Sequence, residues 1–146
     1  MIVVTKPEKL ARDYVEAGNG AIRKEAWEEA TLLFERAYEL GVRDRTSLMS
    51  LAIAADNKGD LARKVAVLEM LAPDDRAVHA PAHLWRATEL LSTGEVPIEK
   101  IKQAERQLRY VVELDPKHAG AHAVLGEIYF KQGSFDNAIY HLQQTN

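Results

Sequence analysis

The strongest constraint on this chain is a spacing that repeats. Residues 119–144 read as two amphipathic helices joined at 131–134, with packing positions at His122, Leu125, Gly126, Tyr129, Gly133, Phe135, Ala138 and Leu142. The set recurs 108 residues upstream at Tyr14, Ala17, Gly18, Ala21, Glu25, Trp27, Ala30 and Phe34. A shift of 34 residues from there lands on Leu48, Leu51, Ala52, Ala55, Gly59, Leu61, Lys64 and Leu68. A third copy fits Leu84, Ala87, Thr88 and Leu91, then Ala104, Leu108 and Val111, if about four extra residues fall in 92–97, where Gly94 and Pro97 mark a loop. A fixed period of this length points to stacked helix pairs that bury their apolar faces against one another.

The spacing has a packing reason. Four positions form one face of the first helix of each pair and four form one face of the second, so the two faces meet. Close crossing needs small side chains, and the expected pairs are Gly18/Ala30, Thr88/Ala104 and Gly126/Ala138, with Ala52/Lys64 as the exception. At Lys64 two outcomes stay open: the stem lies along apolar surface with its amine in water, or the helix shifts locally. Local signals predict eight helices. Thr5, Pro7 and Glu8 offer a capping box for the first, from near Lys6 to about Lys24, and the second spans roughly Ala26 to Leu40. The third starts after Asp44 and ends before Asn57, and Asp60 caps a fourth that Pro73 terminates. Pro81 opens the fifth, the sixth runs from Pro97 to Asp115, and no segment alternates with period two for long enough to make a strand.

This pattern resembles the tetratricopeptide repeat (TPR) family. The resemblance covers the chain from about Ala11, with the last repeat the most specific and the middle two degraded. It implies an all-α, right-handed superhelical solenoid of about four helix-turn-helix repeats, forming a single domain over 1–146 with repeats at about 11–44, 45–78, 81–118 and 119–146. It further implies that the first helices line a concave groove holding a peptide or partner segment. The family's groove positions fall here on Arg12, Val15, Asn19 and Arg23, then Met49 and Ile53, then Trp85 and Glu89, and finally Glu127, Phe130 and Lys131. For Trp85 a place under a neighbouring helix is an equal expectation. The family's two-carboxylate clamp needs five residues, and only Asn19 and Arg86 match, so a chaperone-adaptor role is disfavoured. The last repeat lacks a capping helix, and its end is expected to continue into a longer protein, to be covered by another subunit, or to fray.

Composition narrows the function classes. With 19 basic and 22 acidic residues the net charge is −3, too balanced for a partner bound by counterion release, so nucleic acid is not expected. No cysteine is present, which removes disulfides and thiolate metal sites. No apolar stretch reaches membrane-spanning length and the N-terminus lacks a signal-peptide pattern, so membrane insertion is not expected and a cytoplasmic location is favoured. His79/His83 and His118/His122 have i,i+4 spacing, yet neither pair carries the internal Glu of a zinc helix. No metal, cofactor or catalytic set is expected. The basic residues Lys100, Lys102, Arg106 and Arg109 read as the solvated face of the sixth helix, or as a docking patch. The expected function is a non-enzymatic protein-interaction module. The alternative is an assembly domain that oligomerises or continues the solenoid through its C-terminal end.

Overall fold

The computed structural model describes residues 6–146. Among these are eight α-helices and no strand: α1 Pro7–Arg23, α2 Trp27–Glu39, α3 Arg45–Lys58, α4 Leu61–Leu71, α5 Ala80–Leu91, α6 Ile98–Leu114, α7 Ala119–Lys131 and α8 Phe135–Gln143. The Thr5 half of the expected capping box lies outside the described residues. Caps elsewhere follow from the sequence. Asp44 accepts from Ser47 N–H at 2.9 Å to start α3, and Asp60 from Arg63 N–H at 3.1 Å to start α4. α3 runs through Asn57 to Lys58, further than expected, before Gly59 stops it.

Contacts divide the chain into two compact units, Met1–Met70 and Leu71–Asn146. In the N-terminal unit Ala21, Ala30 and Ala54 bring α1, α2 and α3 together, with Ile22, Trp27 and Leu33 packed around them. In the C-terminal unit Ala87, Ala104, Leu108, Val111, Ala121, Leu125 and Ile128 form one core from α5, α6 and α7. Most of the expected small pairs are buried, Gly18/Ala30 and Gly126/Ala138 among them. There is no room for more: a Cβ on Gly18 would lie 2.8 Å from the Phe34 ring, and one on Gly126 would lie 2.7 Å from Leu142 Cγ.

The turn inside three of the four pairs is also repeated. Glu25, Gly59 and Gly133 hold left-handed backbone, at φ 55°, 90° and 79°. Each is followed by an N–H that reaches back five residues: Ala26 to Ala21 O at 2.9 Å, Asp60 to Ala55 O at 2.8 Å, and Ser134 to Tyr129 O at 2.9 Å. This bond closes the helix end with a left-handed residue, a conformation that glycine adopts without steric cost and glutamate does not.

Two expectations are corrected. Thr88 is exposed, its hydroxyl donating to Leu84 O at 2.8 Å, and Ala87 takes the close-packing place opposite Ala104. The register of α5 is thus one residue earlier than the spacing suggested, because His83 is the buried counterpart of His122. His83 Nδ1 bonds Gln107 and His122 Nδ1 bonds His141. These partners are 24 residues apart in one case and 19 in the other, so the loop around 92–97 carries five extra residues. Lys64 is only 8% exposed, and its amine meets Asp56 Oδ1 at 2.9 Å rather than bulk water. A buried ammonium requires such a partner, since desolvation otherwise drives it to neutrality.

Candidate functional site

α1 carries four of the expected groove residues, spaced so that they share one side of the helix. Arg12, Val15, Asn19 and Arg23 line a single cleft of about 710 Å³ in the N-terminal unit, together with Glu8, Ala11 and Glu16 of the same helix. Its other wall is Leu40, Gly41, Val42 and Asp44, from the turn between α2 and α3, with Ser47 in the first turn of α3. That turn is held by Arg43, whose guanidinium lies 3.4 Å from the centre of the Tyr38 ring and donates to Tyr38 O at 2.6 Å and Val42 O at 2.9 Å. Among the described residues neither Arg12 nor Arg23 forms an ion pair. The cleft therefore offers two uncommitted guanidiniums, an amide and a short apolar floor. Met49 and Ile53, half-buried on α3, do not line it.

In the C-terminal unit the expected residues separate. Glu127 and Lys131 line a second cleft, of about 570 Å³, and pair with each other at 2.9 Å. The cleft is mostly apolar, with Leu91, Val96, Ile98, Ile101, Val124 and Ile128 around the pair. Phe130 lies outside it, exposed and edge-on to Phe135 at 5.6 Å. Trp85 is half-buried, its indole N–H donating to Glu89 Oε1 at 3.0 Å. Sequence reasoning chose residues on the first helix of each pair and missed the opposing walls. Leu40 to Val42 lie after a second helix, Val96 belongs to the extra loop and Ile98 opens α6; the sequence signal for these was a break in the helical spacing.

The histidines are used in structural bonds. His118 Nδ1 accepts from Ala121 N–H at 3.0 Å as the cap of α7, and His122 Nε2 meets Pro116 O at 2.7 Å. Among the described residues no group of three or more His, Cys, Asp or Glu side chains is placed to hold a metal. No helix among them is long and apolar enough to cross a membrane.

The fold defines a class before a family: paired antiparallel helices in an all-α helical repeat. Residues 98–145 match the family model described as tetratricopeptide repeat. YrrB, a TPR protein with an unusual peptide-binding site, superposes with a TM-score of 0.57 at 24% identity, over 92% of this chain and 66% of that one. The chain thus spans just under two thirds of YrrB. MamA 41-end from Desulfovibrio magneticus RS-1 gives a TM-score of 0.63 at 26% identity, and the MamA RS-1 ArsTM double mutant gives 0.63 at 25%. Each covers 93% of this chain, which covers 73% of each. No curated protein matches significantly. These matches show tetratricopeptide-repeat character over residues 98–145 and, for the chain as a whole, a fold similar to that of the TPR proteins YrrB and MamA.

Proposed function

We propose that this chain is a non-enzymatic adaptor that holds a peptide or partner segment in the α1 cleft of its N-terminal unit. The observation that carries this reading is the convergence of Arg12, Val15, Asn19 and Arg23 on one cleft against Leu40 and Val42. Val15 and the Ala11 methyl supply apolar contact, and Asn19 can bond a backbone amide with donor and acceptor together. Arg12 and Arg23 suit single carboxylates, which a guanidinium grips through two parallel bonds. Glu8, Glu16 and Asp44 share the cleft, so a run of acids is repelled, and the fitting ligand is a mixed apolar segment with one or two acidic groups. In the C-terminal unit Trp85, Glu89, Glu127, Phe130 and Lys131 are further contact candidates, Trp85 and Phe130 as the apolar anchors that hot spots favour.

The test is selection from a displayed random-peptide library, followed by titration calorimetry of the selected peptide. Val15→Asp and Arg12→Ala with Arg23→Ala should each weaken binding by about tenfold or more, equivalent to about 1.4 kcal/mol, with helicity unchanged. Undiminished binding by both variants would remove the α1 cleft from consideration.

A second reading, assembly of copies through α8, is favoured by one specific observation. Phe135, Ile139 and Leu142 leave an apolar face exposed at 56%, 54% and 44%. The residues matching Leu142 in two earlier repeats, Phe34 and Leu108, are 2% and 1% exposed.

A further inference from the structure

The C-terminal unit has a third cleft, of about 530 Å³, built from Arg106, Arg109, Tyr110, Val112 and Glu113 of α6 and His141 of α8. Arg106 and Arg109 are three residues apart and so project from one side of the helix. Glu113, one turn beyond Arg109, lines the same cleft, yet among the described residues none of the three forms an ion pair. Two guanidiniums held together beside an imidazole repel one another until an anion joins them.

The imidazole is oriented by a chain of bonds whose direction is fixed at one end. Pro116 O can only accept, so His122 Nε2 donates to it at 2.7 Å. With His122 neutral, its Nδ1 accepts, and His141 Nδ1–H donates to it at 2.9 Å. His141 Nε2 is left as the remaining nitrogen. Protonating it adds a donor and a positive charge without disturbing the inner bonds. The groups around His141 are Arg106, Arg109, Tyr110 and Glu113 from α6, His122 and Tyr129 from α7, and Tyr140 beside it on α8. Tyr129 stacks on the ring at 5.4 Å and Tyr140 meets it edge-on at 5.0 Å. Burial, then His122, then Arg109 lower the pKa of His141. Burial, then a hydrogen bond to Glu105, push Tyr129 up to about 12, so its ring stays neutral.

We propose that this cleft binds a phosphoryl dianion carried by a partner protein, gripped by Arg106, Arg109 and protonated His141, so that anion binding and His141 protonation reinforce each other. A carboxylate has two oxygens and one charge, and one guanidinium fork consumes both. A phosphoryl group has three free oxygens and nearly two charges, enough for all three donors. The cleft shares no residue with the α1 cleft, so either assignment can fail without the other.

Sulfate is the first probe, because it remains a dianion throughout the titration range of histidine whereas phosphate does not. At constant ionic strength, replacing chloride with sulfate should raise the His141 midpoint, followed by the NMR signal of its ring Cε1–H. Arg109→Gln should abolish the rise, and Lys100→Gln, elsewhere on α6, should keep it. A phosphoserine peptide should bind more tightly than its unphosphorylated form, and about tenfold more weakly to Arg109→Gln or Arg106→Gln. A sulfate response that is absent, or equal in Arg109→Gln, overturns the site. Equal binding of the two peptides overturns the partner phosphoryl group as its ligand.

Discussion

His83 sits where a second proton cannot be accommodated. Val78 N–H donates to its Nε2 at 3.0 Å, so the ring proton is on Nδ1, which bonds Gln107 Oε1 at 2.6 Å. Gln107 in turn donates to Asp74 Oδ1 at 3.2 Å. Protonating Nε2 would set two N–H groups against each other in a fully buried site. Burial is the main reason its pKa is lowered, helped by Arg86 and His79 and opposed by Gln107 and Glu113. In the unfolded chain the ring takes a proton near pH 6.5, while the folded ring refuses it until a lower pH. Below pH 6.5 the unfolded state therefore binds more protons, and stability falls with pH; above pH 6.5 both states are neutral and the contribution is constant. Urea midpoints should be level from pH 8 to 7 and decline below about 6.5, with His141 adding a loss of the same sign. His83→Phe should cost about 1–3 kcal/mol at neutral pH, because Gln107 and Val78 N–H lose a partner, and should flatten the acid decline. An acid slope as steep as in the native chain would show that His83 does not carry it.

At the scale of a helix pair, Gly18 and Gly126 face the same steric problem with different neighbours. A methyl at Gly18 would strike Phe34, which is buried and has nowhere to go; one at Gly126 would strike Leu142, which is partly in solvent and can rotate. Replacing helical glycine by alanine gains about 0.8–1 kcal/mol of propensity, whereas overpacking a fixed core costs about 1–3 kcal/mol. Gly18→Ala should accordingly lower the melting temperature and Gly126→Ala should leave it level or raise it; equal losses would show that Leu142 is as confined as Phe34. Both glycines and their partners Ala30 and Ala138 were legible from spacing alone, because only small residues fit there. So was the turn shared by Glu25, Gly59 and Gly133, even with glutamate in one copy. The register of α5 was not legible. Thr88 aligned with Gly126 by count, while the residue that fixes the helix's rotation is His83, a polar side chain whose burial depends on Gln107 across a loop of altered length. In the α1 cleft, Arg12, Val15, Asn19 and Arg23 are positions that the family resemblance implies, while the wall they face is made by a turn with no periodicity.

At the scale of the whole molecule, the three repeat positions Phe34, Leu108 and Leu142 differ in their surroundings rather than in their chemistry. Leu108 shares a core with Leu125 of the following helix, α7, and Leu142 does not. An apolar face of Phe135, Ile139 and Leu142 suits a second copy, which would cover it as α7 covers α6. Burying three such side chains is worth about 1.5–3 kcal/mol each, but association in solution first costs about 4 kcal/mol or more. The balance, about 5 kcal/mol at most, allows only weak pairing, with a Kd no tighter than about 0.2 mM, so it would be missed in dilute samples. Sedimentation of the intact chain should show an average mass that rises between ~10 and ~500 μM, the range in which a balance of this size acts. Ile139→Asp should hold the mass at that of one chain while leaving peptide capture by the α1 cleft intact. If the native chain sediments as a monomer across that range, α8 is not a self-association surface.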